Sequence, residues 1–134
     1  MTQRRVRPRS GAAMLEGALV MVAFVFLLVG IFEVSRLRLV ASTLEYAASE
    51  GCRYAMVHGR DSSSPATNAS ITSIVRSKAM GMRSQDISVQ TTWNPDNRPG
   101  SQVTVSLRYT FQSVLTLLTL SAPISARSTV RIQH

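Results

Sequence analysis

Sixteen consecutive residues from Gly17 to Phe32 carry no charge, and four arginines (Arg4, Arg5, Arg7 and Arg9) stand shortly before them. Nothing else constrains the fold as strongly. From Ala12 to Phe32 the chain has 21 residues, which as a helix is about 32 Å long at ~1.5 Å per residue. A bilayer core is about 30 Å thick. One acid, Glu16, lies near the start of this run. An ionisable side chain at mid-bilayer costs about 2.5–3.5 kcal/mol on insertion scales, so such a residue calls for a partner or a function. A secretory signal peptide has the same basic and apolar order, but its apolar region is shorter and ends in a small-residue cleavage site. Glu33-Val-Ser-Arg-Leu-Arg-Leu39 has no such site, so the segment is expected to stay in the membrane. Four arginines before it, against Arg36 and Arg38 after it, favour a cytoplasmic N-terminus.

The 134 residues leave room for this segment and one small domain. We divide the chain into a basic leader (1–11), a transmembrane helix (12–33) and an outer domain (34–134). The formal charge is +8, and the leader's four arginines supply half of it. The other cations are scattered, without a dense basic tract interleaved with aromatics, so no nucleic-acid partner is expected.

Beyond the apolar run no proline interrupts the chain before Val57, and apolar or small positions recur at Val34, Leu37, Val40, Leu44, Ala47, Ala48, Gly51, Tyr54 and Ala55. These spacings of three and four mark one helical face, so a single helix of roughly 45 residues is expected. Ala47, Gly51 and Ala55 form a row of small residues that permits close packing, expected here against the domain's own sheet. The lone cysteine, Cys52, excludes an internal disulfide. It reads as buried packing, with an intermolecular thiol as the alternative.

After the polar stretch His58–Ser64, Ser64 with Pro65 at the first position is an N-terminal helix signal. Ile71, Ile74, Val75, Lys78, Ala79 and Met82 give the second helix a mostly apolar face, and Gly81 marks its end. Alternation at Ile87–Trp93, Val103–Phe111 and Ile124–Ile132 predicts three strands, with Asn94–Gly100 as a turn between the first two. Val114–Leu120 is too short to span a bilayer and reads as a buried connection or short helix. The expected fold is α+β: a long helix, a second helix and a small three-stranded antiparallel sheet packed on the outer half of the first.

Three segments resemble the TadE-like proteins, minor pilins or pseudopilins of the tight-adherence (Flp) branch of type IV pilus machines. They are Gly11-Ala-Ala-Met-Leu-Glu-Gly-Ala-Leu-Val20, Glu33-Val-Ser-Arg36 and Glu45-Tyr-Ala-Ala-Ser-Glu-Gly-Cys-Arg-Tyr-Ala55. In that family an aromatic residue often follows the acid, whereas Gly17 follows Glu16 here. The resemblance implies cleavage by a prepilin peptidase between Gly11 and Ala12, and an assembly role for Glu16 at the fifth position of the mature chain. It implies a pilin-like, single-pass protein of the bacterial inner membrane with its C-terminal domain in the periplasm, able to join an extracellular pilus. The implied partners are other pilin or pseudopilin subunits, the peptidase, an inner-membrane assembly platform and the lipid bilayer. The implied role is in adhesion or secretion.

Enzymatic chemistry finds little support. His58 and His134 are the only histidines and no cysteine cluster accompanies them, so neither a metal site nor a cofactor is expected. No Gly-x-Ser-x-Gly elbow occurs, and Ser62–Ser64 read as a solvated loop. Asn68-Ala-Ser70 matches a glycosylation triplet but falls within a predicted helix. Two alternatives keep the anchor and change the role: a signal-anchored periplasmic binding module, for which Glu16 has no use, and a minor pseudopilin of a classical type II secretion system. The Glu50-Gly51-Arg53 helix favours the TadE-like reading over the second.

Overall fold

In the computed structural model, residues 10–113 and 121–133 are described. The leader arginines, the connection Val114–Leu120 and His134 lie outside them. The chain separates into two compact units, Met1–Ser35 and Arg36–His134.

The first helix, α1, covers Ser10–Val57, as the unbroken three-and-four spacing predicts. Its N-terminal part makes up the first unit. Every residue there from Gly11 to Leu28 is exposed, although the segment is long and apolar enough to cross a membrane. Burying a Leu or Phe side chain is favourable by about 1.5–3 kcal/mol, so a bare apolar helix of this length needs a surrounding apolar phase. It is compatible with a membrane anchor.

The second unit holds the core. Along α1, Leu44, Ala47, Ala48, Gly51, Cys52 and Ala55 are buried, whereas Val34, on the anchor side of the division, is exposed. The second helix, α2 (Asn68–Lys78), adds Ile71 and Val75. Its N-cap is Thr67, not Ser64. The Thr67 hydroxyl accepts the Ser70 N–H, and the Ser70 hydroxyl accepts the Thr67 N–H, a reciprocal capping box. Long-range bonds explain the shift: the Ala66 N–H donates to the His58 carbonyl at 2.7 Å, and the Asn97 side-chain amide donates to the Ala66 carbonyl. Both hold the chain through buried Ala66 out of helical conformation. The helix also ends early, at Ala79, with Gly81 at φ +77° in the turn beyond.

Strands β1 (Ile87–Asn94), β2 (Gln102–Gln112) and β3 (Ser121–Arg131) form an antiparallel sheet in the order β1-β2-β3. The predicted alternation sets its two faces. Val103, Val105, Leu107 and Phe111 of β2 point inward, with Ile87 of β1 and Ala126 of β3 beside them. The register stacks Val89, Leu107 and Ala126 in one row and Thr91, Val105 and Ser128 in the next. The turn between β1 and β2 is held by Asp96, which accepts the Ser101 hydroxyl at 2.8 Å and the Arg98 N–H at 3.2 Å. The Ser101 hydroxyl, together with the neighbouring arginines, keeps the Asp96 carboxyl below its ordinary pKa.

Candidate functional site

The sequence singled out two groups of residues, and they fall in different units. Gly11, Ala12 and Glu16 occupy the start of α1, where all three are exposed. A Cβ built on Gly11 or Gly17 would meet no atom within 4 Å. The glycines at this end of the helix therefore serve no packing purpose within the described chain.

Ala47, Gly51 and Ala55 lie in the second unit, fully inside its core. A Cβ on Gly51 would stand 2.9 Å from Val75 Cγ2 and 3.4 Å from Ile71 Cγ2, both on α2, and 3.6 Å from Val105 Cγ1 on β2. The glycine thus admits α2 even more closely than the sheet. Two elements converge on one missing side chain.

Cys52, beside Gly51, is 2% exposed, and its thiol donates to the Ser128 carbonyl of β3 at 3.3 Å. Desolvation raises the thiol pKa above its ordinary value, outweighing the hydrogen bonding that lowers it. An intermolecular disulfide would require the α1–β3 contact to open first. A maleimide should therefore label Cys52 in the folded protein at least about a hundredfold more slowly than in denaturant, since labelling must await opening. Fast labelling without denaturant would show that the contact is loose. Because the folded thiol pKa is raised, this group's stabilising contribution is complete below the unfolded thiol value of about 8.5 and is lost as pH rises through the folded value.

At the C-terminal end of α1, the His58 ring stacks on Tyr54 with centroids 4.0 Å apart, and its Nδ1 lies 2.9 Å from the Tyr54 carbonyl. Arg36, where the second unit begins, places its guanidinium 5.3 Å from the Phe111 ring centroid, a cation–π distance. Asn68 and Ser70 of the glycosylation triplet sit in the first turn of α2, with Ser70 engaged in the cap. Among the described residues, no three His, Cys, Asp or Glu side chains come together as a metal site would need.

One grouping was not legible as such. Arg108, Arg127 and Arg131 look scattered along the chain, yet all three occupy outward positions of the sheet. Strand parity was the available signal: each has the parity of the polar positions in its strand, but the register that brings β2 and β3 together was missing.

The model of the TadE-like protein family matches residues 11–53. Over these residues the chain is similar to the TadE-like family, and the match agrees with the resemblance carried by Gly11, Glu16 and the segment around Gly51. It points to a protein associated with the tight-adherence pilus and its components. No curated protein and no solved structure matches the chain.

Proposed function

We propose that this chain is a minor pilin or pseudopilin, a structural or priming subunit in assembly of a tight-adherence type IV pilus or a related secretion apparatus. The observation that carries this reading is the start of α1. The apolar stretch of α1 up to Phe32 bears a single acid, Glu16, exposed and five residues after a glycine that its own fold does not need. A plain anchor would give Glu16 no role. In the proposed role a prepilin peptidase cuts after Gly11, and the mature helix is held in the inner membrane with the domain from Arg36 onward on the periplasmic side. Other pilin subunits and the inner-membrane assembly platform are its partners. The role is architectural rather than catalytic.

The test is the N-terminus of the protein isolated from membranes of cells that carry the pilus machinery. It should begin at Ala12, and Gly11→Phe should retain the full-length form. Because a Cβ at position 11 would meet no packed neighbour among the described residues, a processing defect in that variant reports the peptidase and not misfolding of the domain. A mature protein still beginning at Met1 or Thr2 would remove the processing step from this reading.

A further inference from the structure

The outer face of the sheet is polar, and its only charges are positive. Outward positions along β1, β2 and β3 carry serine, threonine, glutamine, asparagine, one proline and three arginines, with no acid and no aromatic residue. Trp93, Tyr109 and Phe111 share the inward parity of their strands. Arg108 pairs with Ser125, and Ser106 pairs with Arg127, so the two arginines are diagonal cross-strand neighbours, about 7–8 Å apart at the backbone. Arg131, opposite Gln102, lies four residues further along β3, or about 13 Å at ~3.3 Å per residue. All three are exposed, and none forms an ion pair among the described residues.

Like charges directly opposite each other on a sheet are destabilising; Arg108 and Arg127 each face a serine, and the diagonal offset leaves both cations on one face, available to a ligand. The missing aromatic and apolar groups narrow what that could be. Single-stranded nucleic acid uses aromatic platforms for base stacking. Membrane interfaces are entered by Trp, Phe or Leu on the contacting face. Protein interfaces are centred on apolar and aromatic side chains. What remains is a polyanion bound by charge and hydrogen bonds along an extended surface; duplex nucleic acid calls for a denser basic footprint than three arginines, which leaves an acidic polysaccharide.

We propose that the outer sheet face binds an extended anionic polysaccharide. Its carboxylate or sulfate groups pair with Arg108, Arg127 and Arg131, and its hydroxyls hydrogen-bond the side chains between them. Thr104 and Thr129, whose hydroxyls are 3.0 Å apart across β2 and β3, lie between Arg127 and Arg131 and supply donors and acceptors there. This binding does not depend on the chain's entering a filament.

The test uses the full-length protein in detergent micelles, with Arg4, Arg5, Arg7 and Arg9 replaced by glutamine throughout so that the leader does not attract polyanions itself. Fluorescently labelled polygalacturonate and heparin are the probes, with neutral dextran and duplex DNA as comparisons. At least one acidic polysaccharide should bind and dextran should not. The combined Arg108→Gln, Arg127→Gln, Arg131→Gln variant should bind about tenfold or more weakly, as loss of three ionic contacts to a polyanion implies. The combined Arg76→Gln, Lys78→Gln, Arg83→Gln variant, with the same loss of charge elsewhere, should stay within about twofold. Should the first variant melt at a lower temperature, Arg127→Gln alone decides, with an expected loss of about threefold. Failure of both acidic polysaccharides to bind would overturn the proposal. So would equal losses in the two triple variants, an unaffected Arg127→Gln, or DNA bound as tightly as polysaccharide.

Discussion

Replacing Glu16 by alanine should leave the protein inserted, processed and folded but nearly absent from the assembled pilus or secretion complex. On the proposed reading, cleavage after Gly11 creates a positive α-amine on Ala12, four residues before Glu16. In a packed filament the carboxylate pairs with such an amine, on its own helix or on an adjacent subunit, in surroundings of low dielectric. Residues four apart on a helix are neighbours, so both arrangements are sterically available. Removing one member of a buried ion pair costs about 3–5 kcal/mol, because the other charge is left uncompensated. Incorporation of Glu16→Ala should therefore fall by about a hundredfold or more, a factor of ten for each ~1.4 kcal/mol. Glu16→Gln keeps the shape and loses the charge, and it should show most of the same defect. The side chain is exposed, belongs to the first compact unit and is not one of the second unit's core residues. Membrane extraction, the N-terminal residue and the thermal unfolding of the domain should thus match the unaltered protein. Normal amounts of Glu16→Ala in purified complexes would end the assembly role and return the segment to a plain anchor.

Gly51→Leu should have the opposite signature, with the domain failing and the anchor intact. A Cβ at this position already stands 2.9 Å from a Val75 methyl, closer than real carbon contacts allow, and a leucine adds three more carbons between α1, α2 and β2. Valine is stiff in a helix, with one dominant rotamer, so Val75 can retreat only if α2 moves. Overpacking of a well-packed core costs about 1–3 kcal/mol, occasionally more, and this site belongs at the upper end. In a domain of this size that corresponds to a fall in melting temperature of about 10–20 °C. Gly51→Ala is the informative milder change. Its added methyl is the atom that stands 2.9 Å from Val75, so a gain of up to about 1 kcal/mol of helix propensity should not offset the contact, and the variant should be destabilised, though less than Gly51→Leu. Adding Val75→Ala to Gly51→Leu should recover part of the loss, since the two side chains compete for one space and their effects cannot be additive. Circular dichroism melts of the full-length protein in detergent check all three variants. An unchanged melting temperature for Gly51→Leu would mean that α2 does not rest on α1 at this position.

Much of the architecture was legible because each element declares itself locally. The spacing from Leu44 to Ala55 is helical whatever surrounds it, and alternation from Val103 to Phe111 is that of a half-buried strand. The turn Asn94–Gly100 is written in Pro, Asn, Asp and Gly. The start of α2 was not legible, because Ser64-Pro65 and Thr67 with Ser70 are both good caps by local chemistry. The choice between them rests on Ala66, tied to His58 and to Asn97, residues eight positions before it and 31 after it. No local signal carries bonds of that range.

The sequence by itself determined the elements and a segment fit to cross a membrane: an apolar run of bilayer length with a lone acid near its start, and the two periodicities that make two helices and three strands. These follow from residue type and spacing, which act within one or two turns of chain. Only the tertiary structure decided which surfaces meet. It set Gly51 against Val75 and Ile71 as well as Val105, and turned Cys52 toward the Ser128 carbonyl. It also gathered Arg108, Arg127 and Arg131, up to 23 residues apart in the chain, onto one face of the sheet. The physical reason is register. Strand periodicity says that a side chain points to one of two faces, but only pairing between strands says which other side chains share that face and how near they stand.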